Sequence, residues 1–148
     1  MSRIVGIDPG AARVGIAISD EDASIAFPRE TVAVRGDAAE AASLVREALD
    51  DDEVSLVVVG LPLRLDGTEG EAARRAKLLG DAIGNALAVE LVYWDERLTT
   101  VAAERSLREM GRRGARQREV VDQSAATNLL QGYLDAKKGG TWTSPEND

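Results

Sequence analysis

Two short apolar segments meet at the start of the chain, and they fix what can follow. Ile4, Val5 and Ile7 form the first; Val14, Ile16 and Ile18 alternate with Gly15, Ala17 and Ser19 in the second. Period-two alternation is the pattern of strands. Pro9-Gly10 between the two segments demands a turn. The pattern predicts a hairpin over Arg3 to Asp20, with Asp8 where the first strand stops. A carboxylate at a sheet end is aimed by a rigid scaffold.

The rest of the chain extends that hairpin into a mixed sheet. Ile25-Ala26-Phe27 and Thr31 to Val34 read as a third strand interrupted by Pro28, and proline favours an edge position or a bulge. Ala38, Ala41, Leu44, Val45, Ala48 and Leu49 recur at helical spacing over Asp37 to Leu49. The acidic run Asp50 to Glu53 reads as a solvated turn. Leu56 to Val59, ended by Gly60, is a continuous apolar run suited to a strand covered on both faces. A glycine-bearing loop from Leu61 to Gly70 leads into a helix over Glu71 to Leu87, with Ala72, Ala76, Leu79, Ile83 and Leu87 on one face. Gly80 and Gly84 inside it each cost about 1 kcal/mol against alanine. Val89 to Trp94 reads as a fifth strand, and Thr99 or Thr100 as the N-cap of a third helix broken by Gly111 to Gly114. A last helix is expected over Glu119 to Ala136, using Val120, Val121, Ala125, Leu129, Leu130, Tyr133 and Leu134 for packing. Strands first, then alternating helix and strand, imply an α/β fold with a mixed sheet flanked by helices.

At 148 residues the expectation is one domain over 1–138, with 139–148 as a frayed tail. The absence of cysteine excludes disulfides and thiolate chemistry, and the absence of histidine excludes serine–histidine triads and imidazole ligands. Polar-bond cleavage by this chain therefore rests on carboxylates. No apolar run approaches the roughly 18 residues that span a bilayer, and the first strand leaves no room for a signal peptide. A cytoplasmic protein with no membrane partner is expected.

Three carboxylate segments are candidates for convergence: Asp8, the adjacent pair Asp95 and Glu96 after the fifth strand, and Asp122 in the last helix. Neighbouring strand residues point to opposite faces, so one of Asp95 and Glu96 reaches Asp8. Hard carboxylate oxygens suit Mg2+ or Mn2+. Two such ions about 4 Å apart activate water and stabilise the leaving oxygen of a phosphodiester. The net charge of −8 is unusual for a nucleic-acid partner, but the charge is uneven. Arg105, Arg108, Arg112, Arg113, Arg116 and Arg118 face only Glu104 and Glu109 between Val101 and Arg118, a local balance of +4. Such a cluster suits a clamp on phosphates.

Four motifs in order carry a family resemblance. They are Asp8-x-Gly10-x-x-Arg13-x-Gly15-x-Ala17; Gly60-Leu61-Pro62 with Asp66 to Gly70; Asp95 to Thr100; and Val121-Asp122 with Ala125-Ala126 and Leu130-Gln131-x-Tyr133-Leu134-Asp135. From Arg3 to Lys138 the chain resembles the YqgF/RuvX family. The resemblance implies an RNase H-like fold with a five-stranded sheet and a metal-dependent nuclease. Its metal ligands and catalytic residues fall on Asp8, Glu96 and Asp122, with Asp95 as the alternative or a loop-structuring residue. Arg13 and Arg97 become candidates for phosphate contact or for ion pairs within the site. The implied partners are structured RNA, above all the 5′ end of pre-16S ribosomal RNA in precursor particles, or branched DNA at a Holliday junction. The state would be monomer or homodimer. A non-catalytic RNA-binding assembly factor and a nucleotide-binding switch are the rival classes; the switch needs roughly 300 residues, beyond one domain's usual size.

Overall fold

The computed structural model describes residues 3–10, 12–34, 36–50, 52–97 and 115–139, with side chains in the last segment described for 125–137. Strands β1 (Arg3–Pro9) and β2 (Arg13–Ser19) form the hairpin. β1 pairs antiparallel with β2, Asp8 opposite Gly15. The Gly10 amide donates to the Arg13 carbonyl at 2.9 Å, so the turn closes without Asp8 as its acceptor.

β3 (Ala26–Ala33) runs through Pro28 without a break and lies at one edge of the sheet. Its register shifts there: Ala17 pairs with Pro28 and Ile16 with Glu30, leaving Arg29 as the extra residue. Edge and bulge thus occur together, as a proline with no amide to donate requires. Arg29 reaches Asp52 at 2.9 Å and the Ala48 carbonyl at 3.1 Å, tying the bulge to the acidic exit of the first helix.

Helix α1 (Ala38–Leu49) opens on Asp37, whose side chain accepts the Glu40 amide at 2.9 Å. This N-cap satisfies one of the orphan donors of the first turn. Strand β4 (Val54–Leu61) pairs parallel with β1, and β5 (Glu90–Asp95) pairs parallel with β4. The parallel crossovers are α1 and α2 (Glu71–Leu87). The sheet order is β3-β2-β1-β4-β5. In α2 the buried positions are Ala73, Ala76, Leu79, Gly80 and Ile83, while Ala72, expected on that face, is exposed. Ala76, Leu79 and Ile83 lie on the expected face, with Ala73 in place of Ala72 in the first turn; Gly80 faces inward over Tyr93, where a Cβ would sit 2.6 Å from the Tyr93 hydroxyl.

The last helix, α3 (Ala115–Gly139), begins four residues before the expected Glu119. Its opening Ala-Arg-Gln-Arg favours helix by propensity without showing an apolar face. The third helix expected from Thr99 or Thr100, and the expected packing of Val120 and Val121, lie outside the described residues.

The two sheet faces bury different sets. On one, Val5, Ile7, Val14, Ile16, Val57 and Val59 pack under Ala41, Val45, Leu49, Leu79 and Ile83 of α1 and α2. On the other, Ala17, Val58 and Trp94 pack under Ala126, Leu129, Leu130, Tyr133 and Leu134 of α3. Three contacts hold α3 in place. A Cβ on Gly6 would lie 2.7 Å from Leu130 Cβ. Gln131 accepts the Ala26 amide at 2.8 Å and donates to the Ser24 carbonyl at 3.0 Å. Tyr133 meets Trp94 edge-on, with ring centroids 5.4 Å apart. No helix among the described residues is long and apolar enough to cross a membrane.

Candidate active site

The strand alternation sorts the acidic residues. Gly6 and Val58 lie under α3, so Asp8 and Gly60, two residues further along β1 and β4, share that face. On β5, Trp94 is in the α3 cluster and Tyr93 packs with the α1–α2 cluster. Asp95 therefore continues the α1–α2 side, and Glu96 the side of Asp8. The register sets their level: Ile7 pairs with Val59, and Leu61 with Asp95. The Glu96 amide donates to the Leu61 carbonyl at 3.2 Å, which fixes where the chain leaves β5.

Asp8 and Glu96 come together at this sheet end. Their carboxyl groups share a hydrogen bond, which requires a proton between them. Burial, then that bond and the negative charges of Asp8 and Asp95, push Glu96 from 4.5 up to about 8.

Asp95 is committed elsewhere. Arg97 grips its carboxylate through Nη2 at 2.7 Å and Nε at 3.0 and 3.1 Å, and the Arg97 amide donates to Asp95 Oδ1 at 2.9 Å. This guanidinium holds the Asp95 carboxyl below the usual carboxylate range. Arg97 Nη1 also donates to the Leu65 carbonyl at 3.4 Å, tying the β4–α2 loop to the end of β5. The loop has its own frame: Asp66 Oδ1 accepts the Thr68 amide at 3.0 Å and its hydroxyl at 2.7 Å. Gly67 there has φ +87°, a conformation that favours glycine.

Among the sequence candidates, Asp8 and Glu96 meet, and Asp95 and Arg97 form a separate ion pair. Arg13, exposed at the start of β2, shares the face of Gly15 and Ala17, and so of Asp8. Asp122, Arg116 and Arg118 belong to α3 by backbone, with side chains outside the described residues. Arg105, Arg108, Arg112 and Arg113 lie outside the described residues altogether. Among the described residues no group of three acidic side chains forms a metal cage. Sequence reasoning took Gly60 as the end of the β4 apolar run; in the structure a Cβ there would lie 2.7 Å from Glu96 Oε1. The available signal was an isolated glycine at a strand end, which marks close approach by another group.

Sheet order, crossovers and the paired carboxylates at one sheet end define the chain as an RNase H-like α/β protein. With that fold, a RuvC of Thermus thermophilus solved with a Holliday junction substrate aligns at a TM-score of 0.65 and 14% identity, covering 97% of this chain and 99% of its own. The sequence narrows the class: the chain belongs to the RuvX family, described as "Holliday junction resolvase", which matches residues 2–136. A relative from Agathobacter rectalis is 42% identical over 135 residues, covering 90% of this chain and 94% of its own, and bears the name "Putative pre-16S rRNA nuclease". Relatives of the same name from Myxococcus xanthus and a Nocardioides species are 43% and 44% identical, covering 92% and 90% of this chain and 89% and 88% of theirs.

Proposed function

We propose that this chain is a metal-dependent endonuclease that cuts phosphodiester bonds in structured nucleic acid, with the 5′ end of pre-16S ribosomal RNA as its substrate. The observation that carries the reading is the meeting of Asp8 and Glu96, two half-buried carboxyls, at one end of the sheet. Two carboxyls brought this close repel each other when ionised, and a divalent cation between them would relieve that repulsion. The donors are hard oxygens, which suit Mg2+ or Mn2+. Asp8 and Glu96 would hold the metal, with Asp122 as a third ligand; i, i+4, i+8 spacing puts Asp122 on one stripe of α3 with Ala126 and Leu130. One or two ions held there supply Lewis acidity toward a phosphodiester.

The protein's own groups do the rest. Glu96 and Asp8 would hold the cation through their carboxylate oxygens. Asp95 and Arg97, locked together, keep the β5 exit and the β4–α2 loop in register with Glu96. Arg13, on the face of Asp8, would meet a substrate phosphate, and the cluster of arginines from Arg105 to Arg118 would add phosphate contacts. The family's resolvase description supports branched DNA as the second substrate, and the names of the relatives support the ribosomal precursor as the first. A single unit over 1–138 acting in the cytoplasm on precursor particles fits this role.

The test offers a precursor rRNA leader and a four-way DNA junction to wild type, Asp8→Asn and Glu96→Gln, in Mg2+ or Mn2+. Cleavage of the leader by wild type alone is expected. Cleavage confined to the junction transfers the assignment to DNA. Equal cleavage by all three proteins removes the carboxylate pair from the chemistry.

A further inference from the structure

We propose that Gly60 is a positioning residue: the side chain it lacks is the space in which the Glu96 carboxylate lies against Asp8. The inference rests on the reading of Asp8 and Glu96 as the metal-binding pair.

Glycine is not needed at this position for its backbone. Gly67 has the only positive φ among the described glycines, so Gly60 has a conformation open to any residue. It lies within β4, paired with Trp94 of β5. What it lacks is room. A Cβ there would stand 2.7 Å from Glu96 Oε1, 3.0 Å from Cγ and 3.2 Å from Cδ. The whole outer half of the glutamate rests on the bare glycine.

Nor can the main chain of Glu96 give way easily. Its amide is bonded to the Leu61 carbonyl. Trp94, two residues before it, is buried under α3 against Tyr133. Arg97, the next residue, is clamped on Asp95. With the backbone held on both sides, a methyl group at position 60 displaces the carboxylate itself. A displaced Glu96 no longer faces Asp8, and the pair is opened without removing either acid. Gly6 and Gly80 also sit under close contacts, but theirs are with Leu130 and Tyr93, which are packing residues.

The experiment is a cycle of wild type, Gly60→Ala, Glu96→Ala and the double variant, each as the full chain. Mn2+ binding is followed by the loss of the free-ion electron paramagnetic signal, and Tm by circular dichroism. Gly60→Ala is expected to weaken Mn2+ binding by about tenfold or more, the usual range for disturbing the support of a metal ligand. Any Tm loss it causes is expected to vanish in the Glu96→Ala background. There the clashing atoms are gone, and glycine to alanine in a compatible backbone is neutral or mildly stabilising. Wild-type Mn2+ affinity in Gly60→Ala overturns the proposal. So does a Tm loss that persists undiminished in Glu96→Ala, because it marks an effect on β4 alone. A wild type that binds no Mn2+ overturns the metal reading, and this inference with it; a wild type that binds Mn2+ beside an indifferent Gly60→Ala overturns this inference alone.

Discussion

The two faces of the sheet are built from different residues, and the difference separates stability from chemistry. The face under α1 and α2 is a continuous bed of branched aliphatics, with Ile7, Ile16, Val57 and Val59 fully buried. The face under α3 is thinner-skinned: Gly6, Ala17 and Gly60 replace bulk with closeness. Small residues let α3 approach the sheet at Gly6 and let Glu96 fold over Gly60. The clearest sign is at the end of β5. Asp95 and Glu96 are neighbours in sequence, yet one is held low by Arg97 and the other is pushed up to about 8. The pleat sends one toward a cation and the other toward a second acid.

The strongest test compares those neighbours directly. Glu96→Gln is expected to lower kcat by about a thousandfold, close to 4 kcal/mol of barrier. Asp95→Asn frees Arg97 and the loop and is expected to cost about tenfold, as loss of a supporting partner does. Steady-state cleavage of one substrate by both variants decides it; equal losses erase the distinction between the faces.

A second comparison separates folding from turnover. Ile83→Ala opens a cavity under α2 and is expected to cost about 2–5 kcal/mol in urea unfolding, with cleavage near wild type below its Tm. Gly6→Ala pushes Leu130 and is expected to cost about 1–3 kcal/mol, yet to reduce cleavage more, because α3 carries Asp122. The reverse ranking in cleavage would place the sensitive contacts under α1 and α2.

The smallest effect is a slope, damped because solvent reaches the pair. The folded pKa of Glu96 lies above its ordinary value of 4.5. The metal-free folded state therefore binds the extra proton between about 4.5 and 8, and stability falls as pH rises through that window. Saturating Mg2+ is expected to reverse the trend, since the cation needs the deprotonated pair. Thermal melts at pH 5, 6.5 and 8 with and without Mg2+ measure it, and Glu96→Gln should flatten the metal-free slope.

Much of this was legible in the sequence because it was local. The apolar segments around Pro9-Gly10 specified the hairpin, the spacing of Ala38 to Leu49 specified α1, and Pro28 announced an edge or a bulge; that Asp37 caps α1 was not read from the sequence. The α2 bounds of Glu71 and Leu87 also followed from periodicity. What stayed hidden depends on residues far apart in the chain. Gly80 reads as a cost to a helix until Tyr93 arrives beneath it, its hydroxyl 2.9 Å from the Lys77 carbonyl and 2.8 Å from Asp81. Gly60 reads as a strand end until Glu96, 36 positions later, needs the space. Alternation indicated that Asp95 and Glu96 would part, and the family resemblance offered Asp95 as loop-structuring and Arg97 as an ion-pair partner; that these two meet each other required the folded turn after β5.

Trp94 gives the site an optical voice. It is 3% exposed, edge-on to Tyr133 of α3 and two residues before Glu96. The chain's other indole is Trp142. A Trp142→Phe protein would carry a single indole, wedged between α3 and β5. Its fluorescence would follow events at the carboxylate pair in real time, without a label and without waiting for a bond to break.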